Sequence, residues 1–227
     1  MSKRGNNLLK MAALIPGISN LEAYLWATPN SRRVSILFET LGLEYRVHPV
    51  DIRAQEQFSP EILALNPFAK LPIVAWTEAD AQHVMTESGA IMLHFCRHAP
   101  DLLPVDGPPR EAVLVWFMTA MTSIGPMTGN AHHWTSLAPE RPTAAANHHM
   151  ALVRRAYSVL ERQLATHDYL AGAYSLADIA AYPWVAVHDW AKIDLGDYPA
   201  IESWMIRVAE RPAVIRGMQV PDGASLA

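Results

Sequence analysis

Between residues 99 and 110 the chain reads APDLLPVDGPPR, four prolines and a glycine in twelve residues. Proline donates no backbone hydrogen bond and fixes its own φ, so neither a helix interior nor a central strand runs through such a stretch. It reads as a linker, 100–109, and the sequence on its two sides differs in texture. Before it, residues 21–99 alternate short β-like runs with helical ones. LEAYLW reads as a strand, and residues 31–41 place Val34, Leu37, Phe38 and Leu41 on one helix stripe closed by Gly42. YRVHPVDI reads as a strand that Pro49 puts at a sheet edge or a strand end. SPEILAL is a short helix with Ser59 as N-cap and Pro60 in its first turn. LPIVAW and AQHVM form a strand pair, and SGAIMLHFCRH is a helix. After the linker, 110–227 reads as helix throughout. EAVLVWFMTAM is apolar nearly all round, which predicts burial on several faces, in part by a partner subunit. Pro126 is expected to kink or end that helix. A further helix spans 144–165, Ser175 and Asp178 form a capping box, and Ile201, Trp204, Met205 and Val208 make the last stripe.

The chain has 227 residues, 51% hydrophobic and 18% charged. That supports one large or two small packed domains at about 150 residues per domain. The net charge is −4 without a block of like charges, which argues against nucleic acid or an anionic membrane as partner. Cys96 is the single cysteine. An internal disulfide, a CxxC pair and a thiolate zinc site are therefore excluded, and a reducing, cytoplasmic setting is expected. Cys96 itself, inside a helix beside Phe95, reads as a small buried hydrophobe. Residues 1–20 read as an arm, since the apolar run Met11 to Ile15 is too short for a secretory segment. No window approaches the ~20 apolar residues of a membrane span.

Two stretches carry candidate chemistry. In NPFAKLPIVAW, Leu71-Pro72 stands at a strand entrance. A cis peptide there would turn Leu71 so that its backbone meets an extended ligand; a trans proline at a strand start is the commoner arrangement. In TESGAI, Glu87-Ser88 stands where a helix begins. The free N–H groups and the positive dipole end make an anion site there, with the Ser88 hydroxyl available to a carboxylate and Glu87 to an ammonium group. Ordinary N-capping is the alternative. The pairs His132-His133 and His148-His149 point in different directions on a helix and have no carboxylate spacing, so no metal site is expected. Trp116, Phe117 and Trp134 are candidates to line an apolar pocket.

Taken in order, Thr28-Pro29-Asn30, Gln57-Phe58-Ser59-Pro60-Glu61, Asn66-Pro67 with Lys70-Leu71-Pro72, Glu87-Ser88-Gly89-Ala90-Ile91, Gly125-Pro126-Met127 with His132-His133, and Tyr174 to Ala180 resemble the glutathione S-transferase superfamily. The nearest pattern is the bacterial Nu class, which includes glutathione-dependent disulfide-bond oxidoreductases. The resemblance implies an α+β, thioredoxin-like N-terminal domain at 21–99, an all-α domain at 110–227, and a homodimer. It implies glutathione as substrate or co-substrate, with glutathione or its disulfide as the small-molecule partner. Glu87 and Ser88 would hold the γ-glutamyl end and Leu71 the cysteinyl part, with Lys70 and Gln57 at the glycyl end or at a second glutathione. Thr28 and Asn30 would face the sulfur, where a hydroxyl, an amide and backbone N–H groups lower a thiol pKa. Tyr24, or backbone N–H groups alone, are alternatives for that role. The resemblance implies disulfide reduction or conjugation through the ligand thiolate. Ether cleavage, isomerisation, dehalogenation and a non-catalytic binding module stay open beside it. Two positions depart from the family pattern: His148-His149 replaces an Arg-Tyr pair, and Ser31 replaces glycine.

Overall fold

The structure, a computed structural model, describes residues 17–224. Most of the arm expected at 1–20 lies outside the described residues. Its last residues belong to the first strand, which begins at Ile18 and not at residue 21. The chain divides into two compact units. One runs to Pro100 and takes in the C-terminal segment from Pro212; the other is Asp101–Arg211.

The first unit is built on four strands, β1 (Ile18–Leu25), β2 (Arg46–Pro49), β3 (Ile73–Glu78) and β4 (Ala81–Thr86), in the order β2-β1-β3-β4. β1 runs parallel to β2 and antiparallel to β3, and β3 is antiparallel to β4. Pro49 ends the edge strand β2, where its missing donor breaks no ladder. Alternation along β1 sends Leu21, Ala23 and Leu25 to one face. That face is covered by α1 (Pro29–Leu41) and α3 (Ser88–Cys96), where Phe38 meets Phe95 edge-on at 4.9 Å and Trp76 meets Phe95 at 5.5 Å. Cys96 is fully buried in the same layer and forms no disulfide. On the other face Tyr24 packs with Val50, Ile62 and Ile73, under the short α2 (Pro60–Leu65).

α1 is buried almost all round, including Ser35 and Ile36 outside the predicted stripe. The reason lies at the far end of the chain. The last helix, α9 (Pro212–Met218), packs on α1, so it belongs to this unit and not to the helical region expected at 110–227. The approach is backbone to backbone: a Cβ on Gly217 would lie 2.5 Å from Ile36 Cα. The buried Ser35 hydroxyl donates to the Gly217 carbonyl at 2.7 Å, and Arg216 pairs with Glu39.

The second unit is helical: α4 (Gly107–Thr119), α5 (Gly125–His132), α6 (Thr143–Leu164), α7 (Leu176–Val185) and α8 (Pro199–Ala209). The expected linker is shorter than 100–109. Leu102 and Leu103 are buried, the Leu102 carbonyl accepts from Leu176 N–H at 3.0 Å, and Pro108-Pro109 open α4. Proline is tolerated there because first-turn N–H groups have no intrahelical acceptor. Pro126 does not end its helix either. Wide π-turns at Ala120–Ile124 and His133–Leu137 keep one continuous helix of 31 residues, Gly107–Leu137, whose most apolar 18-residue window has a mean hydropathy of 1.3. By length and composition that window is apolar enough to cross a membrane, where the sequence reading expects no window to approach a span; a core helix has the same composition. Inside the unit it buries Val113, Phe117, Ala120 and Ile124. Phe117 is thus a core residue and not a pocket liner, and α4 leaves Val115 and Met118 exposed.

α7 forms the centre of the unit, buried along nearly its whole length and held by the expected capping box. Asp178 accepts from Ser175 N–H at 2.9 Å, from Leu170 N–H at 3.0 Å and from Trp204 Nε1–H at 2.9 Å. Burial still pushes this carboxyl above its ordinary value, against those donors.

Gly217→Ala is expected to destabilise the protein by at least about 2 kcal/mol, because the methyl group meets backbone that cannot move aside as a side chain can. Urea unfolding measures it, and an unchanged midpoint would refute the close-docked helix.

Candidate active site

The register of the sheet gathers three turns at one end. Tyr24 pairs with Ile73, and Ile73 pairs with Thr86. The C-terminal end of β1, the N-terminal end of β3 and the C-terminal end of β4 therefore lie side by side. Each leads within a few residues to a candidate segment: Thr28-Asn30, Leu71-Pro72 and Glu87-Ser88. A cleft of about 110 Å³ stands there, lined by Asn30, Asn66, Lys70, Leu71, Pro72, Glu87 and Ser88. Five predicted site residues, Asn30, Lys70, Leu71, Glu87 and Ser88, are thus brought together.

Two are not among the lining residues. Gln57 sits on the 3₁₀ turn Glu56–Phe58. Thr28 is the N-cap of α1, with φ −94° and ψ 152°. Its side-chain oxygen accepts from Ser31 N–H at 3.3 Å and its hydroxyl donates to Ser31 Oγ at 3.1 Å. Ser31 is fully buried and also accepts from Trp26 N–H at 3.3 Å. Asn30 turns its amide oxygen to Arg33, whose Nη1 donates at 2.7 Å. Arg33 is only 2% exposed, and burial pulls its guanidinium down to about 9, so the group still carries its charge at neutral pH.

The other two walls hold uncommon backbone. Leu71–Pro72 is a cis peptide bond. Glu87 has φ +68° and ψ 111°, a conformation costly for a residue with a side chain. It stands at the N-cap position of α3 but makes no side-chain cap, so the capping reading does not account for it. Its carboxylate is exposed, while Ser88 beside it is buried at the helix N-terminus. Asn66, which sequence reasoning placed only within a matching stretch, is a wall residue. Its amide donates to the Lys70 carbonyl at 2.8 Å and accepts from Phe68 N–H at 3.1 Å. Those bonds shape the loop ahead of Leu71. The signal available was Asn66-Pro67 just after a helix, a common place for a side chain that bonds its own loop.

Tyr24 is turned elsewhere. Its ring stacks on His48 at 4.6 Å, and burial together with Glu22 raises its hydroxyl above the ordinary phenol value. Among the described residues no group of His, Cys, Asp or Glu could hold a metal ion. His148 is exposed on α6, and the His149 ring lies parallel to Trp134 at 6.4 Å. Wider grooves in the helical unit, of about 560 and 550 Å³, are bordered by polar groups already bonded to backbone. Arg207 donates to the Asp168 carbonyl, and Glu161 accepts from Ala200 and Ile201 N–H.

The cleft therefore presents a carboxylate, a hydroxyl at a helix N-terminus, an ammonium group and an amide, and no thiol. An amino-acid head group with its ammonium on Glu87 and its carboxylate on Ser88 satisfies one end. Asn30 stands at the α1 end with its amide.

The family model for the glutathione S-transferase N-terminal domain matches residues 27–98, and that for the C-terminal domain matches 113–212. Disulfide-bond oxidoreductase YfcG of Escherichia coli (strain K12) is 35% identical over 197 residues, 85% of this chain and 92% of that protein. Disulfide-bond oxidoreductase YghU of the same organism is 31% identical over 211 residues, 87% of this chain and 73% of that protein. A glutathione transferase from Pseudomonas putida, solved with one glutathione disulfide bound per subunit, has a TM-score of 0.82 and 30% identity, covering 94% and 96% of the two chains. One from Burkholderia graminis, solved with two glutathione molecules per subunit, has a TM-score of 0.81 and 30% identity over 90% of each chain. The chain belongs to the glutathione S-transferase family.

Proposed function

We propose that this protein is a glutathione-dependent disulfide-bond oxidoreductase of the Nu class, working with the thiolate of bound glutathione. The observation that carries the reading is the pairing of a head-group site at Glu87 and Ser88 with an α1 turn that holds no sulfur, while Cys96 is fully buried. The reactive thiol comes with the ligand. Glu87 holds its ammonium group, Ser88 and the first N–H groups of α3 its γ-glutamyl carboxylate, and the Leu71 backbone its cysteinyl unit. Lys70 serves the glycyl carboxylate; Gln57 stands apart from the cleft and has a weaker claim to that role. The names of the two relatives from Escherichia coli and the disulfide in the Pseudomonas putida structure support disulfide reduction over conjugation.

The chemistry is thiol–disulfide exchange. The bound thiolate attacks one sulfur of the substrate disulfide, forming a mixed disulfide and releasing the other sulfur as a thiolate, which takes up a proton. A second glutathione thiolate then attacks the mixed disulfide at the glutathione sulfur. It releases the remaining substrate thiol and leaves glutathione disulfide, so two glutathione molecules supply the two electrons. What the protein adds is a lowered thiol pKa and a fixed line of approach.

The same reading places the protein in the reducing cytoplasm, as a homodimer without a nucleic-acid or membrane partner. Val115 at 62% and Met118 at 49% exposure leave an apolar strip on α4 that suits a second copy. The long apolar helix that holds them is then a core and interface helix.

Glu87→Gln should weaken glutathione binding about tenfold in calorimetry, the loss of one charge-assisted hydrogen bond. Cys96→Ala should retain disulfide-reducing turnover with glutathione; a folded Cys96→Ala protein without turnover would refute the ligand-thiol mechanism. Sedimentation should give twice the chain mass, and Met118→Glu should shift it toward the monomer. A wild-type monomer at micromolar concentration refutes the dimer.

A further inference from the structure

Three histidines, an arginine and a glutamate gather around one tryptophan of the first unit, outside the cleft. Trp76 lies on β3 and is buried, and its indole N–H donates to Glu78 Oε2 at 3.2 Å. His83 of β4, opposite Trp76 in the sheet register, stacks on the indole with centroids 5.1 Å apart and planes at 15°. His94 of α3 lies against the same indole at 4.8 Å and 44°. Arg97, just past the end of α3, ties the group together. It donates to Glu78 Oε1 at 3.0 Å and to His98 Nε2 at 3.0 Å, and its Nη1 stands 3.5 Å from His94 Nδ1. A guanidinium has donors only, so both imidazole nitrogens accept and both rings are neutral in this arrangement. The His94 proton is then on Nε2, which is buried and has no acceptor among the described residues.

β4 ends at Thr86 and α3 begins at Ser88, so Glu87 alone stands between them. His83 precedes that turn, His94 follows it, and both close on Trp76. We propose that this cluster is an acid-sensitive latch on the head-group site: protonation of His94 parts it from Arg97, frees the last turn of α3 and weakens the hold of Glu87 and Ser88 on glutathione. The inference rests on the glutathione reading above. A proton on His94 Nδ1 replaces an acceptor by a second positive group 3.5 Å from the guanidinium. Protonated His98 loses its bond from Arg97 Nε in the same way. The Trp76 ring by itself favours an imidazolium. Against that, one carboxylate, Glu78, would face the guanidinium and every imidazolium formed. Trp76 N–H, and then Arg97, hold the Glu78 carboxyl below its ordinary value, so mild acid titrates the histidines and leaves it charged. The charges that act on His94 are Arg97 and His98 beyond its helix, Glu78 on β3 and His83 on β4. α1, also packed on α3, meets it through Phe38 on Phe95. Burial first, and Arg97 second, pull His94 below its ordinary value of 6.5. An opened α3 end returns to the ordinary value and takes up the proton that the latched form refuses. The latch is therefore fully stable above pH 6.5 and loses stability as pH falls from there toward the lowered value.

The test is the affinity of the full chain for S-methylglutathione, which has no thiol to titrate, in calorimetry at about pH 7.5 and about pH 5.5. Wild type should bind several-fold more weakly in acid; one histidine of ordinary pKa sets a ceiling of about tenfold at one pH unit below it. His94→Phe keeps an aromatic ring on Trp76 and removes the proton site. It should bind as wild type does at the higher pH and keep that affinity at the lower. If that variant does not fold, hydrogen exchange on wild type decides. The amides of α3 should lose protection at the lower pH, after correction for the intrinsic exchange rate, while those of α1 keep theirs. Equal wild-type affinity at the two pH values overturns the latch, as do α3 amides equally protected at both. A folded His94→Phe protein that weakens in acid as steeply as wild type overturns it too. So does tighter wild-type binding in acid, which would show the Trp76 ring to outweigh Arg97. Wild type that binds neither glutathione nor S-methylglutathione at the higher pH refutes the proposed function itself; wild type that binds there and is indifferent to acid refutes only the latch.

Discussion

The docking of α9 on α1 is the contact on which the first unit's site depends. α1 begins at the turn that carries Thr28 and Asn30, and both side chains are placed by where that helix lies. One of its faces rests on the sheet through Val34, Leu37 and Phe38. The opposite face is fixed by Gly217, which allows two backbones to meet closer than any side chain would permit, and by the Ser35 hydroxyl closing the gap. A helix packed on one face can slide along its ridges; a helix held on both has one position. Asn30 and Thr28 are thus positioned by a residue almost two hundred places further along the chain. Close docking of this kind also explains the small, polar Ser35 in an otherwise apolar helix. Its hydroxyl satisfies a carbonyl near the end of α9, where the last four carbonyl groups lack intrahelical donors.

The sheet supplies the other half of the geometry. Because β3 is antiparallel to both neighbours, three chain turns from well-separated parts of the sequence fall at one end of it. Register and not sequence proximity is what joins Asn30, Leu71 and Glu87. A slip of one residue in β3 would move its side chains to the opposite faces and carry Leu71 out of line. The buried run Ile73-Val74 guards against that slip, with Ile73 fitted under α2 and Val74 under α1 and α3. The positive φ of Glu87 is held in the same way, between a paired strand and a helix that begins at the next residue.

Much of this was legible in the sequence. The α1 stripe, its Gly42 stop, Ser59 and Pro60 opening α2, and the Ser175–Asp178 capping box are local patterns, and local patterns depend on few residues. Five of the seven lining residues were named from the sequence: Leu71, Glu87 and Ser88 because they sit at a strand entrance or helix start marked by proline, serine or an acidic side chain, and Asn30 and Lys70 through the family resemblance. What stayed hidden depends on partners distant in the chain. Gly217 looks like a weak spot in a short helix until Ile36 is opposite it. α9 has the same texture as the helices before it, so nothing local told that it leaves their unit. Pro126 by itself points to a kink or an end of its helix, yet the helix runs on from the π-turn at Ala120–Ile124 to Leu137. Ser31 looked like a small departure from the family pattern. Its weight comes from complete burial between Trp26 N–H and the Thr28 hydroxyl, and no spacing rule reports burial.

A site that borrows its sulfur sets different requirements from one that owns it. A cysteine in the α1 turn would be held by its own covalent bonds, and the rest of the cleft could be loose. A ligand thiol is held only through the ligand's other end. On the proposed function, the distance from Glu87 to the α1 turn then decides whether the sulfur meets a hydrogen-bond donor at all. Displacement on the order of 1 Å costs such a site heavily, about a hundredfold in rate in unfavourable cases. The rigidity of α1, the loop bonds of Asn66 and the fixed register of β3 therefore belong to the chemistry as much as to the fold. A buried arginine makes sense in the same terms. Burying a charge is unfavourable, and burial lowers the Arg33 guanidinium well below its ordinary range. The charge-assisted bond it donates to the Asn30 amide oxygen at 2.7 Å offsets part of that cost and holds the amide beside the cleft in one orientation.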